Sequence, residues 1–141
     1  MALTLLAIEH AVVTECCPGN PNDDLPDGVW FDGDSYVQGV RAASAVMSFT
    51  EFDRLRQALA VLAGVKWDNS PIPTGVPFGM LLDHCDCSGL IMPADAKSIA
   101  ADFNKHRLAV KCDASVRADY DLLNEFFHEA SQHNALVIFA P

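Results

Sequence analysis

Apolar residues first gather at positions 3–8 and 10–15, two runs rich in Leu, Ile and Val that are too short for uncapped helices and therefore predict strands. Residues 36–47 place Tyr36, Val37, Val40 and Val46 among polar positions and leave strand and irregular structure both open. The first clear helix follows. Ser48-Phe49-Thr50-Glu51 has capping-box spacing, in which the Ser48 hydroxyl accepts from the Glu51 N–H and the Glu51 side chain returns to Ser48, with Met47 and Phe52 placed as a hydrophobic staple. Phe52, Leu55, Leu59 and Leu62 then recur on one face until Gly64, predicting a helix over 49–63. Arg54 points away from that face, whereas Arg56 lies about 80° from its centre at 100° per residue, where a side chain can reach inward.

Residues 18–34 break this patterning. Turn signals at Pro18-Gly19, Asp27-Gly28 and Asp32-Gly33 flank Val29-Trp30-Phe31, predicting an acidic surface excursion tipped by a hairpin. Its carboxylates at Asp23, Asp24, Asp27, Asp32 and Asp34 read as solvated loop acids in preference to a cation site. Residues 64–76 predict a loop anchored by Trp67, and Pro77 opens a short helix through Phe78, Leu81 and Leu82. Pro93 in a first turn, Asp95 at the positive dipole end and Ala96, Ile99, Ala100 and Phe103 on one face predict a helix ending near His106. Residues 108–112 suit a short strand or an apolar loop. Ser115 is the expected N-cap of a last helix with Val116, Tyr120, Leu123, Phe127 and Ala130 on its face, widened by Leu122 and Phe126 and closed at Asn134. Residues 135–139 predict a terminal strand covered on both sides.

The elements predict an α+β fold: three main helices and one short helix packed on a small, mostly antiparallel sheet that includes the C-terminal strand. One domain over 1–141 is expected, with a strand-rich part at 1–47 and a helical part at 48–141. A chain of 141 residues buries roughly two-thirds of its unfolded surface, enough for a core without disulfides. No run nears the roughly 20 apolar residues that span a bilayer, and the opening segment lacks the basic flank of a secretory signal, so no membrane partner is expected. Five cysteines without secretory context predict reduced thiols and a cytoplasmic location, the host cytoplasm for a phage-encoded chain. The net charge of −10 argues against binding a nucleic-acid polymer, whose affinity comes from clustered Lys and Arg. A small anionic molecule then needs one or two locally placed arginines, and a homo-oligomer is compatible with the composition.

Chemistry concentrates in Leu81-Leu-Asp-His-Cys-Asp-Cys-Ser-Gly89 and onward to Asp95. Counted from His84, Asp86, Ser88, Gly89, Ile91 and Asp95 fall at positions 3, 5, 6, 8 and 12 of a calcium loop, but the first position is His and the last is Asp in place of a bidentate Glu. His84, Cys85 and Cys87 with Cys112, Cys16 or Cys17 offer zinc ligands at a spacing that fits no strong motif. Cys85 or Cys87 beside His84 also raises a small Cys-His enzyme, without an elbow or oxyanion signature. The plainer account has Asp86 and Ser88 bonding local backbone, Gly89 supplying a positive φ and His84 hydrogen-bonded at the rim.

These residues resemble a family of small uncharacterised proteins encoded by phages and bacteria. The resemblance covers residues 48–140: Ser48, Phe49, Phe52 and Arg56 match a Ser-Phe/Tyr segment leading into Phe-x-x-x-Arg, and a final helix and strand follow. His84, Asp86, Cys87 and Gly89 match a Leu-Leu-x-His-Ser-Asp-Cys-Asp-Gly loop in which Cys85 and Ser88 replace a Ser and the second Asp. The family has no settled activity, so the resemblance implies fold and site more than chemistry. Together the readings predict a non-enzymatic binder, a phage-type anti-defence protein sequestering an anionic or nucleotide-derived host signal through Ser48, Phe49, Arg56, His84, Asp86 and Ser88. No cofactor and no metal are expected; a metal-binding interaction module and the Cys-His enzyme are the alternatives. Arg56 has two competing partners, an acid of the loop, which would make it a clamp, or the ligand's anionic group.

Overall fold

The computed structural model describes residues 2–15, 25–31, 35–67, 71–84 and 89–140. Within them the chain runs β1 (Ala2–Glu15), β2 (Val29–Phe31), β3 (Ser35–Ser48), α1 (Phe49–Ala63), α2 (Gly79–Asp83), β4 (Leu90–Ile91), α3 (Pro93–Lys105), α4 (Ala114–Gln132) and β5 (Leu136–Ala140). The strands form one sheet in the order β2-β3-β1-β5-β4. Every pairing is antiparallel. This is the predicted α+β fold, with the helices packed on the sheet and the C-terminal strand inside it.

The two apolar runs expected as separate strands are one strand. Its register against β3 slips between Glu9 and Val12, which pair with Val40 and Gln38, so His10 and Ala11 together oppose Gly39. His10 takes φ 55° there, the left-handed geometry by which a bulge absorbs an extra residue. Gly39 is required by close approach: a Cβ on it would lie 2.5 Å from Ile8 Cγ2 and 2.7 Å from the Glu9 carbonyl oxygen. Residues 36–47, left open by their pattern, fall within β3, and Val29-Trp30-Phe31 pairs back on Gln38, Val37 and Tyr36. The expected turns at 18–19 and 32–33, and Asp23, Asp24, Asp32, Asp34, Cys16 and Cys17, lie outside the described residues.

Alternation along the strands gives the sheet two buried faces. Leu3, Leu5, Ala7, Ala45, Met47, Val137 and Phe139 meet the helices, while Leu6, Ile8, Val37, Leu136 and Ile138 form a smaller cluster with Trp30 and Leu90 packed against it. Burial of β5 on both sides is as its unbroken apolar run predicts. At the centre of the helix layer Tyr120 is fully buried and donates to the Phe103 carbonyl at 2.5 Å. Burial pushes its phenol up to about 12.

Local signals set most helix ends. Ser48 caps α1, its Oγ accepting from Glu51 N at 3.0 Å, and Gly64 ends it in left-handed geometry at φ 71°. Met47 and Phe52, the expected staple pair, are buried in the same cluster. Pro93 opens α3 and His106 closes it. Two expectations need correction. Pro77 does not open α2, because Phe78 turns to φ 60° and is itself the N-cap, held by its ring in the aromatic core and by its N–H donating to Asp102 Oδ2 at 3.0 Å. Ser115 does not cap α4; Asp113 does, its Oδ1 accepting from Val116 N at 3.0 Å and from Ser115 Oγ at 2.8 Å. Residues 108–112 form no strand: Leu108 is exposed in a turn, and the Arg117 guanidinium takes the carbonyls of Arg107 and Val110 that a ladder would have used.

Replacing Ser48 by Ala removes a capping acceptor and is expected to cost about 1 kcal/mol in urea unfolding. The hydrogen bonds from Val116 and Ser115 hold the Asp113 carboxyl below its ordinary value of 3.8. A depressed folded pKa means that the stabilisation is complete above the unfolded value and is lost as pH falls through the folded one. Asp113→Asn keeps a capping oxygen without the titration. Its stability should therefore fall less steeply than wild type below about pH 4 and run parallel to it at higher pH, as thermal melts across pH would record.

Candidate functional site

The 84–89 loop joins α2 to β4, and its described ends are gripped from two sides. Trp67, in the loop after α1, donates its Nε1–H to the Leu82 carbonyl at 3.0 Å. Arg56 Nη1 donates to the His84 carbonyl at 2.7 Å. Both acceptors belong to the C-terminal end of α2, where backbone carbonyls lack partners within the helix and a positive group is favourable.

Among the described residues Arg56 is the charged side chain that folding buries, at 5% exposure. Its guanidinium carbon lies 4.5 Å from the Phe52 ring centroid and 4.5 Å from that of Trp67. Nη2 also donates to Asp53 Oδ1 at 3.1 Å, and the Asp53 side chain keeps 44% exposure. The border position on the helical wheel therefore did point inward. Of the two partners weighed for Arg56, the clamp is present in a different form, since the fork holds a loop carbonyl and a neighbouring acid on its own helix.

His84 is half-buried, its ring stacked on Phe139 with centroids 4.1 Å apart, and its Nε2 lies 3.3 Å from the Leu90 carbonyl oxygen. Gly89 has the expected positive φ, 113°, and a Cβ there would sit 3.1 Å from His84 Cε1. The Gly89 carbonyl accepts from Phe139 N at 3.1 Å, extending the β4–β5 pairing into the loop. Phe139 in turn meets Phe52 edge-on at 5.8 Å. One chain of contacts thus runs Arg56, Phe52, Phe139, His84 and back to Arg56.

Arg56 and His84 are brought together; Ser48 and Phe49 are not with them. Ser48 is a helix cap two turns earlier, roughly 12 Å along the axis, and Phe49 packs on the core cluster. Asp86 and Ser88, with Cys85 and Cys87, lie outside the described residues. Trp67 and Phe139 are site residues that sequence reasoning cast only as anchor and strand, while the Phe-x-x-x-Arg spacing, which sets Phe52 one turn before Arg56, had already paired those two.

A cavity of about 600 Å³ lies beside this junction, between the 72–80 segment and α3. Asp83, Asp95 and Asp102 line it with Lys105 and His106. Asp95, the twelfth position of the calcium-loop count, thus faces this cavity from the first turn of α3. Among the described residues no three His, Cys, Asp or Glu side chains are placed to hold a metal ion. Cys112 is half-buried, its Sγ 4.0 Å from the Val110 carbonyl. Compared with protein families, curated proteins and solved structures, the chain has no match in any of the three.

Arg56→Lys keeps the charge but loses the planar fork that spans the His84 carbonyl and Asp53 and the delocalised cation that lies over two rings. It should cost about 2 kcal/mol, the scale of a charged hydrogen bond plus a desolvated cation–π contact. Faster amide exchange at Gly89 and Leu90 should accompany it; unchanged exchange there would show that the fork does not hold the loop.

Proposed function

We propose that the chain is a non-enzymatic small-molecule binder whose ligand carries an anionic, nucleotide-like group held at the Arg56–Trp67–His84 junction. The observation that carries this reading is the preorganised guanidinium: it lies over the rings of Phe52 and Trp67, each 4.5 Å from its carbon, and it donates to the His84 carbonyl at the base of the 84–89 loop. Asp53 is the contact an incoming phosphate or carboxylate would displace, because it is part-exposed and supplies one single-point bond to Nη2. A bidentate anion bonds a guanidinium more strongly than such a contact does. A host signal as the ligand, and so an anti-defence role, belongs to the same proposal.

The 600 Å³ cavity suits an anion poorly. Three carboxylates against Lys105 and His106 make its lining net acidic in a chain already at −10, and like charge repels at close range. Placing the anion at Arg56 avoids that penalty.

Small molecules released from protein purified out of cells should include an anionic metabolite by mass spectrometry. Asp53→Asn should bind it more tightly, by about fivefold at most, since a part-exposed ion pair is worth up to about 1 kcal/mol. An empty wild-type protein that is not stabilised thermally by any mononucleotide or cyclic dinucleotide would sink the proposal. Elemental analysis is expected to show no stoichiometric zinc or calcium, with a melting temperature indifferent to chelator; one tightly held metal per chain would favour the interaction module instead.

A further inference from the structure

We infer that the outer edge of β3, from Val40 to Ser48, is a docking site for an extended basic segment of another protein, which would add to the sheet as a further strand. Among the described residues β2 pairs only with Tyr36, Val37 and Gln38, so β3 beyond Gly39 has β1 on one side and no described strand on the other. Alternate residues of such an edge direct both N–H and C=O outward. Proteins commonly guard such edges with Lys, Pro, bulges or very short strands; here one bulge, at Ala42, interrupts the edge and leaves Ala43 to Ser48 as its unbroken stretch. This one reads Val-Arg-Ala-Ala-Ser-Ala-Val-Met-Ser, with Val40 and Val46 more than half exposed and Arg41 the sole charge.

The flank of α4 decides the occupant. A groove of about 370 Å³ runs between Ala43 and Ser44 on the edge and Leu122, Glu125, Phe126, His128 and Glu129 on the helix. Leu122 and Phe126 give it apolar contact and Glu125 and Glu129 give it two carboxylates beside His128, with Glu129 3.7 Å from His133 Nε2. Near the other end of the edge, burial and then repulsion from Glu51 of α1 raise the Asp119 carboxyl above its ordinary value, with Arg54 of α1 opposing them. A second copy pairing antiparallel on this edge would be related by a two-fold axis through the sheet, bringing two acidic α4 flanks face to face. A strand with Lys or Arg at the positions facing α4 meets the same flank with opposite charge, and its backbone supplies the ladder bonds.

The test uses the full chain and two synthetic nine-residue peptides, one alternating Lys and Val, the other identical in charge but with Pro at the Val positions so that it cannot pair as a strand. Calorimetry should show the first binding at least about tenfold tighter than the second, and than the first binds Glu125→Lys/Glu129→Lys, a loss typical of removing close charge pairs. Amides of residues 40–48 should gain exchange protection on binding. Circular dichroism confirms that the variant, changed only at exposed helix positions, is folded. No binding, equal binding of the Pro peptide, or protection elsewhere would overturn the proposal, and so would a sedimenting dimer whose contacts protect the same amides.

Discussion

A buried guanidinium is the constraint around which the helix-to-sheet junction is arranged. Removing such a charge from water costs several kcal/mol unless its donors and faces find partners. Arg56 meets that demand with a loop carbonyl, a helical neighbour and two aromatic rings, and each partner is thereby fixed. Phe52 lies under the guanidinium carbon and meets Phe139 edge-on. Trp67 must stay close to α1, so its indole N–H reaches the Leu82 carbonyl and ties down the loop that returns from the helix. The end of α2, five residues long and too short to hold itself as an isolated helix, is closed by these two side chains.

β5 joins this junction to the sheet. Its odd-numbered residues Val137 and Phe139 face the helices, and Leu136 and Ile138 face the second cluster. Phe139 carries the His84 ring on its face and receives, through its own N–H, the Gly89 carbonyl. The loop is therefore held by main chain on one side and by stacking on the other, while Arg56 supplies the third point. Gly89 has no Cβ to contest the position of the imidazole.

Much of this was legible before the structure, and what was not has a common cause. The cap at Ser48, the stop at Gly64, Pro93 at a first turn and the buried faces of α1, α3 and α4 all follow from interactions within four residues, which spacing reports directly. The wheel position of Arg56 told its direction, but its partner at His84 is distant in sequence and no spacing encodes it. Asp113 and Ser115 are both good caps two residues apart; the carboxylate wins because it accepts from the helix and from the serine at once, whereas the serine would leave an acid beside it unbonded. Phe78 defeats prediction for a different reason. A bulky residue rarely takes a positive φ, and this one does so because Asp102 and three aromatic neighbours hold it.

The division of β1 follows from the length of β5. Thr4 to Ile8 pair with β5 on one side and β3 on the other, and there Leu5, Leu6, Ala7 and Ile8 are buried. Past Ile8 the strand has β3 alone, and Val12 and Val13 are exposed although they are as apolar as the residues before them. The bulge sits at this transition. A second register shift, between Ala7 and Ile8, places its extra residue, Ala42, on β3 and leaves the alternation of β1 unbroken; an extra residue in β1 itself within the doubly paired segment would have reversed which side chains face which side and turned buried leucines out of both clusters. Placed just beyond it, where Glu9 receives His133 from the end of α4 at 3.0 Å, the extra residue leaves those clusters intact. Composition marks 3–8 and 10–15 as equal apolar runs; only the run flanked by two strands becomes core.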